Sequence, residues 1–532
     1  MLHAGKIIPQ PARFKYRLLI VSISRRHDKP PDKVRRQGRA ARFLRYTTLD
    51  NRQLVYFLGV VIAVKLAILS VVGPTIWPDT EAYVSFADAI LNGQAFRPID
   101  WTVGPATPAF VFRLAGYPLV LAAAKLMSPL HYGQIAVILQ ISLNVLAMVL
   151  MFRVLDRLSF TITQAMFAIG LYAFSDSLLL DNSLLSDSVY SSFFNIVVFL
   201  LIGAAVDCWR LTLLGAAGLG LLWGFSAWTR DSGIYLTYLP IILLVAIARH
   251  ATGSIRSRLG YVLVFTIVVL AATGAYAAFN KHRTGEFFFS ITGVENWLRP
   301  VFDMARHKYA DPFAGDDLVS QTVRAGMPDY EYPAQLALIE RLHQRCECTP
   351  TQLQTIVFNK YLATVIRHPI AYLQVIWQNF HYFGLVGLLA DPIATINQFF
   401  EFATSMPHKF APGLSLRNLR SLEGKFSTIT LLLMLLNALS TAAATVLFTL
   451  FLFGIPYIAA RVHLQRKPIP LPLAVVGFLW FSFVSVSVVF SLVHYEARHA
   501  LPILPAGCIG IVYAFSQARR LIRRRGLEQP LA

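Results

Sequence analysis

Ten apolar stretches recur along the chain, at 54–73 and about 131–151, 160–180, 188–206, 211–229, 234–249, 259–279, 428–458, 470–491 and 499–516, separated by short turns except at 74–130 and 280–427. Roughly 20 apolar residues are enough for an α-helix to cross a hydrocarbon core. In lipid the backbone must satisfy its own hydrogen bonds, so the pattern predicts helices and no open sheet edge. The expected fold class is therefore an all-α polytopic membrane protein with about ten transmembrane helices. The alternative count is eleven to thirteen, because 113–127 and 371–405 are also apolar.

Charge decides how those two stretches are read. Arg153 with Arg157, Arg210, Arg249 with Arg256 and Arg258, and Arg461 with Arg466 and Lys467 mark cytoplasmic turns if the ten-span count holds. Counting 113–127 as a crossing would move Arg153 outside, so it is expected as a helix on the outer leaflet, interrupted by Gly116 and Pro118. Counting 371–405 would do the same to Arg461, so that stretch is expected to be external or re-entrant. Both termini are basic and expected in the cytoplasm, with the active site on the outer face of a bacterial inner membrane.

The organisation that follows is a basic cytoplasmic segment, 1–53, and an N-terminal transmembrane catalytic core, 54–279, whose first outer loop is 74–130. An external cap region, 280–427, comes next, then C-terminal transmembrane helices, 428–516, and a basic cytoplasmic tail, 517–532. Residues 280–370 hold ten Lys/Arg and ten Asp/Glu with many aromatics, a composition that predicts a small folded helical cap rather than disorder.

The chain of 532 residues is 56% hydrophobic and 14% charged, about half the charged share of a soluble protein. Its net charge of +20 raises the question of nucleic acid, but the excess is terminal. Residues 1–52 carry fourteen Lys/Arg against three acids, and five arginines fall between Arg519 and Arg525. Both runs abut apolar segments, so anionic lipid headgroups are the expected partner and no nucleic acid is. Cys208 and Cys508 are expected as buried thiols. Cys346 and Cys348 form a Cys-Glu-Cys sequence, read as a tight disulfide or two free thiols, with no histidine at metal-ligand spacing nearby.

Candidate chemistry begins directly after the first span, at Pro78-Asp79-Thr80-Glu81-Ala82-Tyr83. A carboxylate where a helix leaves the membrane can meet both a lipid-borne and a water-soluble substrate. Asp79 also suits a plain helix N-cap. Further along come Arg113 to Pro118, Ser186-Asp187-Ser188 with Asp176 and Asp181 nearby, and Gly224 to Arg230. His494-Tyr495-Glu496-Ala497-Arg498-His499 then precedes Pro502 and Pro505. Lys65 sits in mid-span, where a lone charge is costly, and is expected to meet an acid or to reach a donor phosphate.

These motifs, in this order, resemble the polyprenyl-phosphate-sugar-dependent membrane glycosyltransferases of the GT-C superfamily, in the branch of protein O-mannosyltransferases and aminoarabinose transferases. The matches are Asp79, Tyr83 and Ala87 after the first span, then Arg113 to Pro118 with Ala115 where the family usually has Pro. Asp187 follows in the second outer loop, then the Gly-rich span ending at Arg230. Last comes Glu496, Arg498 and His499 before the two prolines. The segment Arg367 to Tyr372 resembles the family's Pro-x-x-Tyr helix. The resemblance implies inverting transfer of a sugar from a polyprenyl-phosphate donor to an extracytoplasmic acceptor, which could be lipid A, a surface polysaccharide or a protein. It implies Asp79 as the base, with Glu81, Tyr83, Arg113, Tyr117, Asp187, Arg230, Glu496 and Arg498 binding substrates. Among these, Arg230 and Arg498 would grip the leaving phosphate. The resemblance fixes no cofactor, and a divalent cation at Asp187 stays open. The alternative function is a transporter or flippase of a lipid-linked envelope intermediate, favoured by Lys65 alone.

Overall fold

A computed structural model describes residues 50–98, 113–175, 177–250, 255–326, 332–380, 447, 449–493 and 497–527. The described residues are helical throughout, apart from turns and one isolated backbone bridge between Thr75 and Ser183. The chain is an all-α polytopic membrane protein.

From the N-terminal side the helices are α1 (Asp50–Val72), α2 (Pro78–Leu91), α3 (Gly116–Met127), α4 (Tyr132–Arg157), α5 (Ile162–Ala173), α6 (Ser186–Ala205), α7 (Leu213–Thr229), α8 (Tyr238–His250) and α9 (Ile255–Thr284). They continue as α10 (Gly293–Arg306), α11 (Leu318–Arg324), α12 (Tyr332–Cys346), α13 (Pro350–Arg367), α14 (Pro369–Asn379), α15 (Thr449–Leu464), α16 (Leu471–Ser491) and α17 (Leu504–Leu527). A 3-10 segment, Ala497–Ile503, leads into α17.

Among the described residues six helical runs are long and apolar enough to cross a bilayer: within α1, α4, α6, α9 and α16, and from Arg498 to Arg520. The other expected spans coincide with α5, α7, α8 and α15, which are apolar but shorter. The stretch 428–446 lies outside the described residues. Pro74, after α1, and Leu184, before α6, both lie against Gly133 at the start of α4, while Arg157 Nε at the end of α4 donates to Val206 O, at the end of α6, at 2.9 Å.

α6 is the central helix. It is buried along nearly its whole length and packs on α4, α7, α8 and the 3-10 segment. Close packing of α7 on α9 depends on missing side chains, as helix contacts in lipid often do. A Cβ on Gly224 would stand 2.6 Å from Ala272 Cβ.

One expectation is corrected here. Residues 116–127 form the unbroken helix α3, with Gly116 and Pro118 in its first turn instead of interrupting it. Proline is tolerated there because first-turn N–H groups have no intrahelical partner. That turn is wedged against the end of α7: a Cβ on Gly116 would lie 2.5 Å from Trp228 C and Thr229 N.

Helices α10 to α13 enclose a second hydrophobic cluster of their own, built on Leu298, Phe302, Phe313, Leu342 and Val357, and α14 packs on α10 beside it. This is the charge-balanced stretch, and the cap it was expected to form is helical. Lys360 is buried inside it, donating to Pro312 O at 2.6 Å, Ser320 Oγ at 2.6 Å and Asp317 Oδ2 at 2.8 Å. Cys346 and Cys348 are joined as a disulfide in the turn between α12 and α13.

Candidate active site

Two helix starts are laced together at the end of the bundle that carries the cap. Thr75 N donates to Asn182 O at 2.8 Å, and Leu184 N donates to Thr75 O at 2.9 Å. Asn182 Nδ2 donates to Gly73 O at 2.7 Å, and Trp77 Nε1 to Ser183 Oγ at 2.9 Å. Thr80 Oγ1 donates to Leu184 O at 3.0 Å while accepting from Trp77 N at 2.9 Å. These bonds set the first turn of α2 beside the first turn of α6. Asp79 and Asp187 therefore sit in adjacent first turns, where the helix dipole favours a carboxylate.

Asp79 is not the N-cap of α2; Trp77 is. Its carboxylate is gripped from two sides. Arg113 Nη2 donates to Oδ1 at 2.7 Å, and Arg498 Nη1 donates to Oδ2 at 2.9 Å. Arg498 also lies 4.0 Å from Asp187 Oδ2, and Asp187 Oδ1 pairs with Arg230. The result is a row of alternating charge, Arg113, Asp79, Arg498, Asp187, Arg230, with three guanidiniums to two carboxylates. Asp187 is almost closed off at 2% side-chain exposure, whereas Asp79 shows 13% and Arg498 24%. Asp79 is thus the more accessible of the two carboxylates, and Arg498 the most exposed member of the row.

The aromatic residues brace it from beneath. Tyr83 OH lies 3.0 Å from Ser186 Oγ, and its ring meets Tyr117 edge-on at 5.2 Å and Arg113 at 5.8 Å. Tyr117 is fully buried and donates to Gln140 Oε1 at 2.8 Å; Gln140 Nε2 donates in turn to Asp181 O at 2.8 Å and Ser183 O at 2.9 Å. Glu81 is exposed on α2, and no described residue hydrogen-bonds or ion-pairs with it. Glu496 and Asp176 lie outside the described residues. His499 is buried and stacks on Phe490 at 4.9 Å.

Lys65 has its acid. Its ammonium pairs with Asp181, both side chains 1% exposed, with Asn144 Oδ1 at 3.4 Å. Asp181 Oδ1 also accepts from Ser188 Oγ, beside Asp187. Gln140 and Asp231 are site-supporting residues that the motifs did not single out, and Asp181 was named only as a neighbour of Asp187. The signal for Asp231 was its place directly after Arg230. For Asp181 it was an unmatched acid facing an unmatched mid-span lysine.

Guanidiniums hold both oxygens of Asp79 and one oxygen of Asp187, so the positive charge beside these two carboxylates comes from arginine. Among the described residues no three His, Cys, Asp or Glu side chains converge as ligands.

No protein-family model matches the sequence, and no curated protein matches it either. Among solved structures the chain is similar to the archaeal oligosaccharyltransferase AglB from Archaeoglobus fulgidus in complex with an inhibitory peptide and a dolichol-phosphate. That match has 14% identity over 90% of this chain and 52% of the other, with a TM-score of 0.44. It is also similar to ArnT from Cupriavidus metallidurans bound to undecaprenyl phosphate, at 14% identity over 83% of this chain and 77% of the other, with a TM-score of 0.36. The chain spans about half the length of the oligosaccharyltransferase it matches.

Proposed function

We propose that this protein is an integral-membrane glycosyltransferase that moves a sugar from a polyprenyl-phosphate carrier to an acceptor hydroxyl outside the cytoplasm. The observation that carries the reading is one accessible carboxylate, Asp79, held between Arg113 and Arg498 and followed by a further arginine at Arg230. Single-displacement transfer needs those parts: a base for the acceptor proton and fixed cations for a phosphate leaving group. The orientation rests on Arg153, Arg157 and Arg210, which lie near the opposite end of the bundle, as a cytoplasmic face would require.

In the proposed reaction the acceptor oxygen attacks the anomeric carbon from the face opposite the phosphate. Asp79 takes the hydroxyl proton as the new carbon–oxygen bond forms. The bond from the anomeric carbon to the phosphate oxygen breaks, and its electron pair leaves with the polyprenyl phosphate, inverting the anomeric centre. Each oxygen of Asp79 accepts one guanidinium hydrogen bond and keeps a second lone pair for the acceptor proton. Arg498 is the more exposed of the two, and a donor phosphate would draw it away, since guanidinium forks match phosphate well.

The transporter or flippase reading drew on Lys65, and the Asp181 pairing accounts for that residue. The sugar and the acceptor, whether lipid A, surface polysaccharide or protein, are left to experiment. Mass spectrometry of polyprenyl-phosphate lipids in cells carrying wild type or Asp79→Asn, at matched expression, tests the proposal. One glycosylated carrier is expected to accumulate in the variant. An unchanged lipid pool with full complementation would sink it.

A further inference from the structure

The cap is tied to the bundle at two places, one of them directly beside Arg230. On one side the contact is made by Asp231, the residue directly after Arg230. Its Oδ2 accepts from Thr292 Oγ1, with Ser290 Oγ 3.5 Å away, and those two hydroxyls lie 2.8 Å apart. Thr292 is the residue from which α10, the first cap helix, begins, and Thr292 N donates to Ser290 Oγ at 3.2 Å. On the other side Tyr372 of α14 donates to Leu492 O at 2.6 Å and shares a 2.6 Å hydrogen bond with Tyr361 of α13. Asn379 Nδ2 donates to Ser491 O at 3.3 Å. Leu492 closes α16, six residues before Arg498.

We propose that Asp231 is a positioning residue: through Thr292 and Ser290 it makes the cap a fixed support for the turn that presents Arg230 to a lipid-borne phosphate. The inference rests on the reading of Arg230 and Arg498 as phosphate ligands. Arg230 ends α7 with an extended backbone, φ −153° and ψ 129°, so the chain leaves the helix at this residue while the side chain pairs with Asp187. A carboxylate one residue on, anchored to a separate hydrophobic unit, fixes the turn from which that side chain springs. The arrangement links whatever the cap binds to the geometry of the phosphate site, because a shift of α10 must pass through Asp231.

Binding of undecaprenyl phosphate to the full-length protein in detergent tests this, in wild type, Asp231→Asn, Arg230→Lys and the double variant, with the thermal midpoint of each. Asp231→Asn is expected to bind about tenfold more weakly, equivalent to about 1.4 kcal/mol, at an unchanged midpoint. The double variant is expected to be no worse than Arg230→Lys, since a residue acting through Arg230 then has nothing left to act on. If Asp231→Asn does not fold, Thr292→Val removes the cap-side donor and is expected to show the same loss. Wild-type affinity in Asp231→Asn, or additive losses, would overturn the positioning role while Arg230→Lys still weakened binding. Wild-type affinity in Arg230→Lys and Arg498→Gln would instead overturn the phosphate-site reading, and the positioning role with it.

Discussion

Arg498 and Asp79 stand 419 positions apart in the chain, yet Arg498 Nη1 lies 2.9 Å from Asp79 Oδ2 and 4.0 Å from Asp187 Oδ2. One guanidinium thus joins the first turn of α2 to the first turn of α6. It comes from the 3-10 segment that packs on α6, so the last span of the protein completes a site begun by the first.

Arg498→Gln is expected to weaken donor use by about 10- to 100-fold, as the loss of hydrogen bonds to charged groups at about 1.5–3 kcal/mol implies. Arg498→Lys keeps the charge but not the fork and should recover only part of it. The check is KM for the polyprenyl-phosphate donor, measured beside kcat. A fall in kcat with unchanged KM would mean that Arg498 acts after binding.

Lys65 and Asp181 form an ion pair buried to 1% exposure. Lys65→Met strands the Asp181 carboxylate and is expected to cost about 3–5 kcal/mol. Combining Lys65→Met with Asp181→Asn should restore much of that stability, because no unpaired charge is left. Thermal unfolding in detergent reads both. Equal losses in the single and double variants would show that the ion pair is not the source.

Gly116 abuts backbone atoms of Trp228 and Thr229 at 2.5 Å from where a Cβ would stand. Backbone cannot swing aside, so Gly116→Ala is expected to cost about 1–3 kcal/mol by overpacking. It should also lower turnover, because Arg113 on one side and Arg230 on the other are displaced together. A Gly116→Ala protein with wild-type melting and activity would argue against the close approach.

In the cap, burial acts to raise the Asp317 carboxyl, but hydrogen bonds from Lys360 and Ser320 and the Lys360 charge outweigh it and hold it below the ordinary value of 3.8. A carboxyl lowered in the folded state contributes stability that is complete above its unfolded value and lost as pH falls through the folded one. Hydrogen exchange in α11 and α13 should therefore accelerate as the pH drops below about 4. The effect is modest, since Asp317 is partly exposed. Lys360→Met should bring the acceleration to higher pH; an identical profile in that variant would exclude the pair as its cause.

Much of the fold was legible because lipid leaves a chain few choices. Runs such as 131–151 and 470–491 have to be helices, and they are the cores of α4 and α16. The helical cap was legible from balanced charge mixed with aromatics. The interruption expected at Gly116 and Pro118 was not found, since a helix-breaking composition says nothing about whether those residues fall in a first turn, where they are harmless.

The sequence by itself determined the solvent this protein lives in, the helices that cross it, and which polar residues stand near their ends. Only the tertiary structure decided which of those residues meet. Pairings such as Arg113 with Asp79, Arg230 with Asp187, Lys65 with Asp181 and Asp231 with Thr292 depend on which helix packs beside which. Hydropathy fixes the depth of a residue in the membrane but not its bearing around the bundle. That bearing is set by close contacts such as Gly116 on α7 and by the hydrogen bonds joining 73–77 to 182–184, which carry no periodic signal along the chain.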